Sequence, residues 1–433
     1  MSFETFQLDA RVRAGVDAAG YVTPTSIQEQ TVPAAVAGRD VLGLAQTGTG
    51  KTAAFVLPML NRLIDGPRGR TRALVVAPTR ELAEQIHAEI TTLGKKTGLR
   101  SATVYGGVGK VPQVRALRGG ADIIVACPGR LLDHLRHGDG SLAKVEVLVL
   151  DEADHMFDMG FLPDVRTIVK QVPSGAQRLL FSATMPAELR HLAADVLHDP
   201  VTVEIGHSAP AKTVEHALYP VEKQHKTRLL KHLLGSDDMR SALVFTRTKR
   251  GAKRLAEQLE RDDFNATSLQ GNLSQNKRQR ALDGFRDGRH DVLVATDIAS
   301  RGIDVTRVSH VINYDVPTTA DAYTHRIGRT GRAERSGEAY TLVTHEDEKM
   351  IRDIERTLGT RLERVHLDGY GGHATPAAPT GSPGNGPGRN RGGGGARGAG
   401  NSSNHARGNR RGGSGRGRDP SGRRGTAPRN DKA

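Results

Sequence analysis

The sequence contains few of the features on which disulfide-rich, secreted and membrane proteins depend. It has one cysteine in 433 residues, Cys127, so no disulfide can form within the chain, and a reducing cytoplasm fits that composition. Residues 1–5 lack a basic region followed by an apolar stretch, so we expect no secretory signal. No apolar run approaches the roughly 18 residues of a membrane-spanning helix. We therefore expect a cytoplasmic protein with no membrane segment.

Apolar residues are also scarce, whereas positive charge is abundant. Hydrophobic residues make up 36% of the chain, which is low for a wholly globular protein and leaves room for a disordered stretch. The formal net charge is +14 and the pI is near 10.0. A balance of this kind favours a polyanionic partner, nucleic acid first. The length predicts two or three segments instead of one domain.

Short apolar runs alternate with longer helical patterns in two successive blocks. The runs of the first block lie at 40–44, 73–77, 123–126, 145–150 and 178–181, and those of the second at 242–246, 291–296, 310–314 and 338–343. Continuous apolar runs of this length are typical of parallel strands buried on both faces. The alternation predicts an α/β sheet with helices on both sides in each block. A helix is expected over 249–261, and a break over 206–212. We place the first domain at 1–207, a linker at 208–216 and the second domain at 217–367.

The last part of the chain, residues 368–433, has a different character. The last 65 residues hold 20 of the 51 glycines. From residue 381 onward there are eleven arginines and one lysine against two aspartates, so +10 of the formal net charge of +14 lies here. With almost no large apolar residues this segment cannot bury enough surface to offset the entropy of ordering. We predict a disordered basic tail.

A phosphate-binding loop is the first motif that indicates chemistry. It follows an apolar run, should lead into a helix that opens at Thr52, and begins with alanine where the general pattern has glycine. Its glycines let backbone N–H groups turn towards phosphate oxygens, Lys51 supplies charge to the β and γ phosphates, and the Thr52 hydroxyl reaches Mg²⁺. The predicted nucleotide-binding residues of the loop are Ala45, Gln46, Thr47, Gly48, Thr49, Gly50, Lys51 and Thr52.

Two acidic residues and an arginine cluster complete the predicted reaction site. Asp151 and Glu152 end an apolar run, so they lie at the carboxyl edge of a parallel sheet, where ligands bind. Asp151 would hold Mg²⁺ through water, and Glu152 would orient or deprotonate the attacking water. Arg329 and Arg332 lie more than a hundred residues further on, between glycines, and are candidates to stabilise the γ-phosphate charge.

These blocks, in this order, resemble those of DEAD-box RNA helicases. The motifs are Thr-Ser-Ile-Gln at 25–28, the loop at 45–52, Asp-Glu-Ala-Asp at 151–154, Ser-Ala-Thr at 182–184 and His-Arg-Ile-Gly-Arg-Thr-Gly-Arg at 325–332. The similarity spans about 3–365 and is closest in style to the bacterial RhlE-like group. It implies two RecA-like domains and an RNA-stimulated, Mg²⁺-dependent ATPase.

The resemblance also implies roles for residues outside the phosphate loop. Gln28 would read the adenine edge, since its amide offers both a donor and an acceptor. Tyr21 would pack near the base, and Asp304 would contact the ribose. The residues implied in coupling hydrolysis to strand separation are Asp154, Ser182, Thr184 and His325.

RNA contacts are implied in both domains, mostly to phosphate and sugar. They fall on Thr79, Arg80, Gly107, Pro128, Arg130, Arg247, Gln275, Arg278 and Thr296. Two positions depart from the family pattern: Cys127 stands where threonine is usual, and Gln270 where histidine is usual. Arg-Gly-Gly repeats at 391 and 411 resemble Arg/Gly-rich RNA-binding segments, whose arginines contact phosphates and stack on bases.

The leading hypothesis is an ATP-dependent RNA helicase that separates duplexes locally. An ATP-gated RNA clamp or scaffold, or a tail-driven RNA chaperone that needs no ATP, remains open on the sequence. A DNA helicase is a weaker alternative. Ribosomal precursors and RNA-decay enzymes are candidate partners, and no membrane partner is expected.

Overall fold

Two parallel β-sheets, each of seven strands, form the framework of the described chain. The computed structural model describes residues 2–46, 48–205, 214–297, 308–331 and 337–371, and the described residues fall within one compact unit. The first sheet contains β1 Val41–Leu44, β2 Ala73–Val76, β3 Ser101–Val104, β4 Ile123–Ala126, β5 Val147–Leu150, β6 Gln177–Ser182 and β7 Val201–Glu204. The second contains β8 Val214–Pro220, β9 Ala242–Phe245, β10 Ala266–Leu269, β11 Val292–Ala295, β12 His310–Asn313, β13 Gly337–Val343 and β14 Glu363–Arg364.

The strand order is the same in both sheets. It runs β3-β4-β2-β5-β6-β1-β7 in the first and β10-β11-β9-β12-β13-β8-β14 in the second. Neighbouring strands pair in parallel, as in the register of Val76 with Leu150 and of Phe245 with Asn313. The carboxyl ends of β1, β5 and β6 therefore share one edge of the first sheet, which is where ligands bind in such folds.

Helices connect the strands and cover both faces of each sheet. Those of the first domain are α1 Ala10–Ala18, α2 Ser26–Val36, α3 Lys51–Leu63, α4 Arg80–Leu93, α5 Lys110–Arg118, α6 Pro128–Arg136, α7 Ala153–Asp158, α8 Leu162–Val169 and α9 Ala187–Val196. Those of the second are α10 Lys226–Leu234, α11 Lys249–Arg261, α12 Gln275–Arg286, α13 Ala320–Ile327 and α14 Glu348–Leu358. Several begin at a threonine cap. Thr79 accepts from the backbone N–H of Leu82, and Thr248 from that of Gly251, which satisfies donors left free at a helix start.

The continuous apolar runs are explained by the two-sided burial of the strands. In β2, Val75 belongs to one hydrophobic core and Leu74 to the core on the opposite face. In β9, Val244 and Leu243 alternate in the same way. The predicted pair of parallel α/β sheets with helices on both sides is confirmed. The predicted helix over 249–261 has the observed bounds of α11, with Ala252, Leu255, Ala256 and Leu259 on its buried face.

Several strands carry no continuous apolar run and were not predicted. They are β3, β7, β8, β10 and β14. Strand β8 begins at Val214, inside the range expected for the linker, and pairs with β13. The domain boundaries otherwise stay a prediction. The rest of the expected linker and the predicted tail from residue 372 onward lie outside the described residues. In the described part of the chain, no helix is long and apolar enough to cross a bilayer.

Candidate nucleotide and nucleic-acid site

The loop between β1 and α3 has a backbone that only glycine adopts readily. Gly48 and Gly50 have φ angles of 89° and 90°, in the region that L-residues rarely occupy. A Cβ on Gly50 would lie 2.6 Å from Nε2 of Gln28. Helix α3 opens at Lys51, one residue earlier than predicted. The loop therefore presents its backbone at a helix N-terminus, where phosphate groups bind favourably.

Hydrogen bonds within the loop hold its predicted charge in place. Lys51 is 6% exposed, and its Nζ donates to the carbonyl of Ala45 at 2.8 Å. The Thr49 hydroxyl donates to the carbonyl of Gln46 at 2.8 Å. The ammonium of Lys51 thus lies folded over the loop, at the position from which it would face phosphate oxygens. Thr47 lies outside the described residues.

Gln28 braces the phosphate loop in this structure. Its Oε1 accepts from the backbone N–H of Thr25 at 3.0 Å, and its Nε2 donates to the carbonyl of Gly50 at 3.1 Å. The predicted contact of Gln28 with adenine stays a prediction. It requires the Gln28 side-chain amide to share these hydrogen bonds with the base or to exchange them for bonds to the base. The Tyr21 hydroxyl donates to Glu89 at 2.6 Å, and the predicted packing of its ring near the base stays a prediction. Asp304, the predicted ribose contact, lies outside the described residues.

The two acidic residues after β5 are buried and differ in pKa. Burial raises the pKa of Asp151 to about 6, against the attraction of Lys51. Burial also raises the pKa of Glu152, but the positive fields of His155 and Lys51 outweigh it and hold the pKa at about 2. Arg329 acts in the same direction. Glu152 is therefore a carboxylate over the whole physiological range, which suits it to accept a hydrogen bond from water and orient it.

Asp154 joins the acidic segment to the strand end of β6. One carboxylate oxygen accepts from the backbone N–H groups of Ala183 and Thr184 at 3.0 and 2.9 Å. The Thr184 hydroxyl also donates to it, at 3.2 Å. Ser182 Oγ accepts from the Asp154 backbone N–H and donates to the Thr184 carbonyl at 2.7 Å. A shift of the acidic segment would therefore be transmitted directly to the segment 182–184.

Residues of the second domain face this acidic segment. His325 and Arg329 line the same cavity as Lys51, Glu152 and Thr184. Arg329 is 6% exposed, and the His325 ring meets the His155 ring edge to face, with centroids 5.2 Å apart. The structure thus brings together predicted site residues that are more than 270 positions apart in the chain. Arg332 lies outside the described residues.

The oxygen donors at the loop and strand end fit magnesium. Mg²⁺ prefers hard oxygen ligands, keeps several waters, and in nucleotide sites uses few protein side chains beside phosphate. The Thr52 hydroxyl at the start of α3 and the Asp151 carboxylate at the end of β5 offer such donors. Among the described residues no group of three or more His, Cys, Asp or Glu side chains converges as a metal site, so these two would have to act together with phosphate.

The predicted RNA contacts of the first domain lie along the carboxyl edge of its sheet. Thr79 caps α4, Pro128 opens α6, and Arg130 donates to the carbonyl of Val108 at 3.3 Å. The guanidinium of Arg80 lies so close to Gly107 that a Cβ there would meet it at 2.1 Å. This edge therefore combines exposed backbone with cationic side chains, the chemistry that recognises phosphate and sugar.

In the second domain, two predicted RNA contacts are used differently in this structure. Gln275 Nε2 and Arg278 Nε both donate to Glu81 of the first domain, at 3.1 and 2.8 Å. All three side chains are buried. Gln275 and Arg278 therefore form a buried polar contact between the domains. Arg247 is largely exposed and Thr296 is buried, and their RNA roles stay predictions.

Three residues at these contacts were missed in the sequence. Glu81 was given no role of its own within the predicted RNA-contacting segment at 78–82, and His155 was given none, although each lies in the first turn of a helix. Arg326 was not assigned either. Its guanidinium forms a bidentate pair with Asp297 and lies 4.9 Å above the Phe245 ring. Arg326 therefore stabilises the second domain through contacts inside that domain.

The two departures from the family pattern are both accommodated locally. Cys127 precedes α6, and burial, reinforced by Glu81, raises the pKa of its thiol to about 12, so it stays protonated. Gln270 is buried, and its Oε1 accepts from the backbone N–H of Asn272 at 2.7 Å. The Gln270 side chain therefore supports the turn after β10, whereas Cys127 contributes a neutral thiol.

Comparison with known proteins decides the family. The DEAD/DEAH box helicase model matches residues 25–192, and the helicase conserved C-terminal domain model matches 225–334. The ATP-dependent RNA helicase CshA of Listeria monocytogenes is 42% identical over 362 residues, which cover 83% of this chain and 69% of CshA. The chain belongs to the DEAD/DEAH box helicase family. The ATP-dependent RNA helicase DeaD of Buchnera aphidicola is 41% identical, and the match covers 85% of this chain but only 61% of DeaD.

A solved structure has the same two-domain framework. Dbp5 of S. cerevisiae, bound to RNA and ADP BeF3, is 32% identical with a TM-score of 0.77, and the match covers 85% of this chain and 96% of Dbp5. This likeness confirms the predicted tandem of RecA-like domains.

Proposed function

We propose that this protein is an ATP-dependent RNA helicase, which hydrolyses ATP to ADP and phosphate and couples that reaction to local RNA unwinding or RNP remodelling. One observation carries the proposal. Lys51 and Glu152 of the first domain and Arg329 of the second line a single cavity. Since phosphoryl transfer is catalysed mainly by positioning and charge stabilisation, a site split between two domains makes hydrolysis depend on their closure.

The reaction assigns one task to each side chain. The loop amides and Lys51 hold the β and γ phosphates, and Glu152 orients the attacking water and accepts its proton. Arg329 faces the γ-phosphate and offsets the negative charge that spreads over its oxygens in the transition state. Thr52 and Asp151 would hold Mg²⁺, which neutralises phosphate charge when bound.

RNA would act by favouring the closed form. The edge with Arg80, Gly107 and Arg130 belongs to the first domain, and Arg247 and Thr296 belong to the second. A strand that contacts both sets binds the closed form more tightly than the open one, and this difference in affinity shifts the equilibrium towards closure. The hydrogen bonds of Asp154 to segment 182–184 would pass the state of the acidic segment to the RNA edge.

The relatives support an RNA substrate. CshA and DeaD are named ATP-dependent RNA helicases, Dbp5 is seen with RNA and ADP BeF3, and Mss116p with ssRNA and AMP-PNP. Single-stranded and duplex RNA are the partners we expect here, with ribosomal precursors and RNA-decay enzymes as further candidates. The single cysteine favours a cytoplasmic location.

Steady-state ATP hydrolysis with and without single-stranded RNA tests the proposal, with DNA of equal length as the control polymer. We expect strong stimulation by RNA alone. Stimulation by both polymers would favour a DNA-capable helicase. No stimulation by either would contradict coupled closure and favour a clamp that needs a protein partner.

Glu152→Gln separates binding from chemistry. We expect hydrolysis to fall by about 10²–10⁴-fold, the usual contribution of a general base, while ATP and RNA still bind, because the amide keeps the size of the side chain. Equilibrium binding of labelled RNA with ATP, beside the hydrolysis rate, measures both. Normal turnover in this variant would remove Glu152 from its assigned role.

A further inference from the structure

His155 is a buried histidine that the mechanism above leaves without a task. It lies in the first turn of α7, and its Nδ1 is 2.8 Å from Oε2 of Glu152. Both side chains are 4% exposed. Because a carboxylate can only accept a hydrogen bond, Nδ1 must carry the proton in this pair. The imidazole therefore holds one oxygen of the residue that would activate water.

The other side of the same ring faces the second domain. Its edge-to-face contact with His325 crosses the domain boundary, and both rings line the cavity that contains Lys51 and Arg329. The Nε2 atom of His155 is buried and has no hydrogen-bond partner among the described residues. His155 thus touches the predicted general base on one side and the closing domain on the other.

We propose that His155 is a positioning residue that fixes the Glu152 carboxylate for attack and makes this fixation depend on closure through His325. The inference rests on the function proposed above and refines it. Glu152 has a left-handed backbone with φ of 50°, which is unusual for a residue other than glycine. Its long side chain can adopt several rotamers. The hydrogen bond from His155 selects one of them, and the His325 ring limits the rotation of the imidazole when the domains are together.

Geometry explains why a histidine suits this position. Glu152 caps α7 and His155 lies in its first turn, so a ring nitrogen reaches the carboxylate without distorting α7. The planar ring also offers a flat surface to His325. Glutamine at this position would keep a donor for Glu152 but would lose the ring contact, whereas leucine would lose both.

Substitutions at His155 test the proposal through kcat and KM measured separately at saturating RNA. For His155→Leu we expect kcat to fall about 10- to 100-fold, as for the loss of one hydrogen bond to a charged group, with the KM for ATP unchanged. His155→Gln should recover a large part of that loss. An unchanged kcat in His155→Leu, or a rise in KM alone, would overturn the proposal.

The contact with His325 is tested by a double-mutant cycle. If His155 acts together with His325, the variant carrying both His155→Leu and His325→Leu should be no slower than the slower single variant. Multiplicative effects would show that the two histidines act independently and would overturn the dependence on closure.

His134→Leu is the matched control. His134 is also a buried histidine of the first domain, with its Nδ1 2.9 Å from Asp139, but it lies on α6 outside the cavity. We expect it to lower the melting temperature while kcat per folded molecule stays normal. If His155→Leu behaves in the same way, its role is structural and the proposal fails.

The wild-type rate distinguishes this failure from failure of the proposed function. RNA-stimulated hydrolysis by wild type together with an unaffected His155→Leu variant would overturn only the role of His155. Absence of RNA-stimulated hydrolysis in wild type would overturn the proposed function and the inference with it.

Discussion

The two halves of the molecule have the same strand order but use the same sheet edge differently. In the first half, β1 leads into a glycine-rich loop and α3. In the second, the corresponding strand β8 leads into residues 221–225, which contain no glycine, and then α10. A loop without glycine cannot adopt the positive φ angles seen at Gly48 and Gly50 without strain. Equal topology therefore does not provide two phosphate sites.

Two lysines at corresponding positions, Lys51 and Lys226, illustrate the difference between the two halves. Lys51 and Lys226 each open the helix after the first strand of their sheet, and each is 6% exposed. Lys51 bonds to the carbonyl of Ala45 within its own loop. Lys226 donates to the carbonyl of Tyr314 at 2.9 Å. In the second half, the Lys226 ammonium is therefore hydrogen-bonded to the segment that follows β12. This strand corresponds to β5 of the first half.

The chain itself covers the loop after β8. The Tyr370 carbonyl accepts from the backbone N–H of Glu222 at 3.2 Å and from Nδ1 of His225 at 3.1 Å, and the Tyr370 ring lies 4.8 Å from the Arg228 guanidinium. In the first half, Gln46 and Lys51 of the equivalent loop line a cavity instead. The two sheets have the same strand order, so the difference between them in nucleotide binding is set by the local loop sequence and by the covering segment.

The largest expected contrast is between Lys51→Ala and Lys226→Ala. Loss of Lys51 should lower hydrolysis by about 10²–10³-fold, as for removal of one preorganised charge-stabilising donor. Loss of Lys226 should leave hydrolysis per folded molecule near normal and lower stability by about 1–3 kcal/mol, because a buried carbonyl loses its donor. ATPase rates and thermal melts of both variants measure the contrast. Equal loss of hydrolysis in the two would mean that the second sheet contributes to nucleotide binding.

An intermediate effect, on the RNA dependence of ATP hydrolysis, is expected from a substitution at the contact between the two halves. Arg278→Met leaves the carboxylate of Glu81 buried without its cation in the closed form. Breaking a fully buried ion pair costs about 3–5 kcal/mol, but Arg278 keeps 11% side-chain exposure, so we expect a roughly 10- to 100-fold rise in the RNA concentration needed for half-maximal ATPase.

Arg280→Met on the exposed face of α12 is the control for this measurement. It should leave the RNA dependence close to that of wild type. If Arg278→Met and Arg280→Met raise the RNA concentration for half-maximal ATPase equally, general loss of positive charge explains the rise. The contact of Arg278 with Glu81 would then have no part in closure.

The smallest expected effect is a histidine-dependent loss of stability at low pH in the second half. Burial lowers the pKa of His310, against the attraction of Glu338, and burial also lowers that of His216. As pH falls below about 6.5, the unfolded chain binds protons that the folded state does not, so stability falls, by at most about 1.4 kcal/mol per pH unit for each histidine. Hydrogen exchange of peptides from β12, between pH 5 and 8, reports this loss.

His310→Asn should reduce that pH dependence, because asparagine does not titrate. Peptides from β5, the counterpart of β12 in the first half, give an internal comparison of opposite sign: burial raises the pKa of the adjacent Asp151 to about 6, so stability there should rise as the pH falls towards 5. An equal pH dependence in β12 with and without His310 would assign it to other groups.

The amino-acid sequence by itself determined the central strands, the phosphate loop and the acidic pair. Runs such as those ending at Ala77 and Leu150 are apolar throughout because both faces of these strands are buried, and glycine spacing in 45–52 reflects a local backbone requirement. Edge strands such as β3 and β10 are partly exposed and mix polar with apolar residues, so they leave no comparable signal.

Only the tertiary structure decided which side chains meet. Gln28 bonds to the phosphate loop 22 positions away, Arg278 reaches Glu81 across 197 positions, and His155 lies against His325. Local sequence patterns carry helix and strand preferences over a few residues, whereas these contacts depend on strand order and on the packing of one sheet domain against the other. The same limit applies to Lys226, whose bond to the Tyr314 carbonyl depends on tertiary packing and does not follow from its place at the start of a helix.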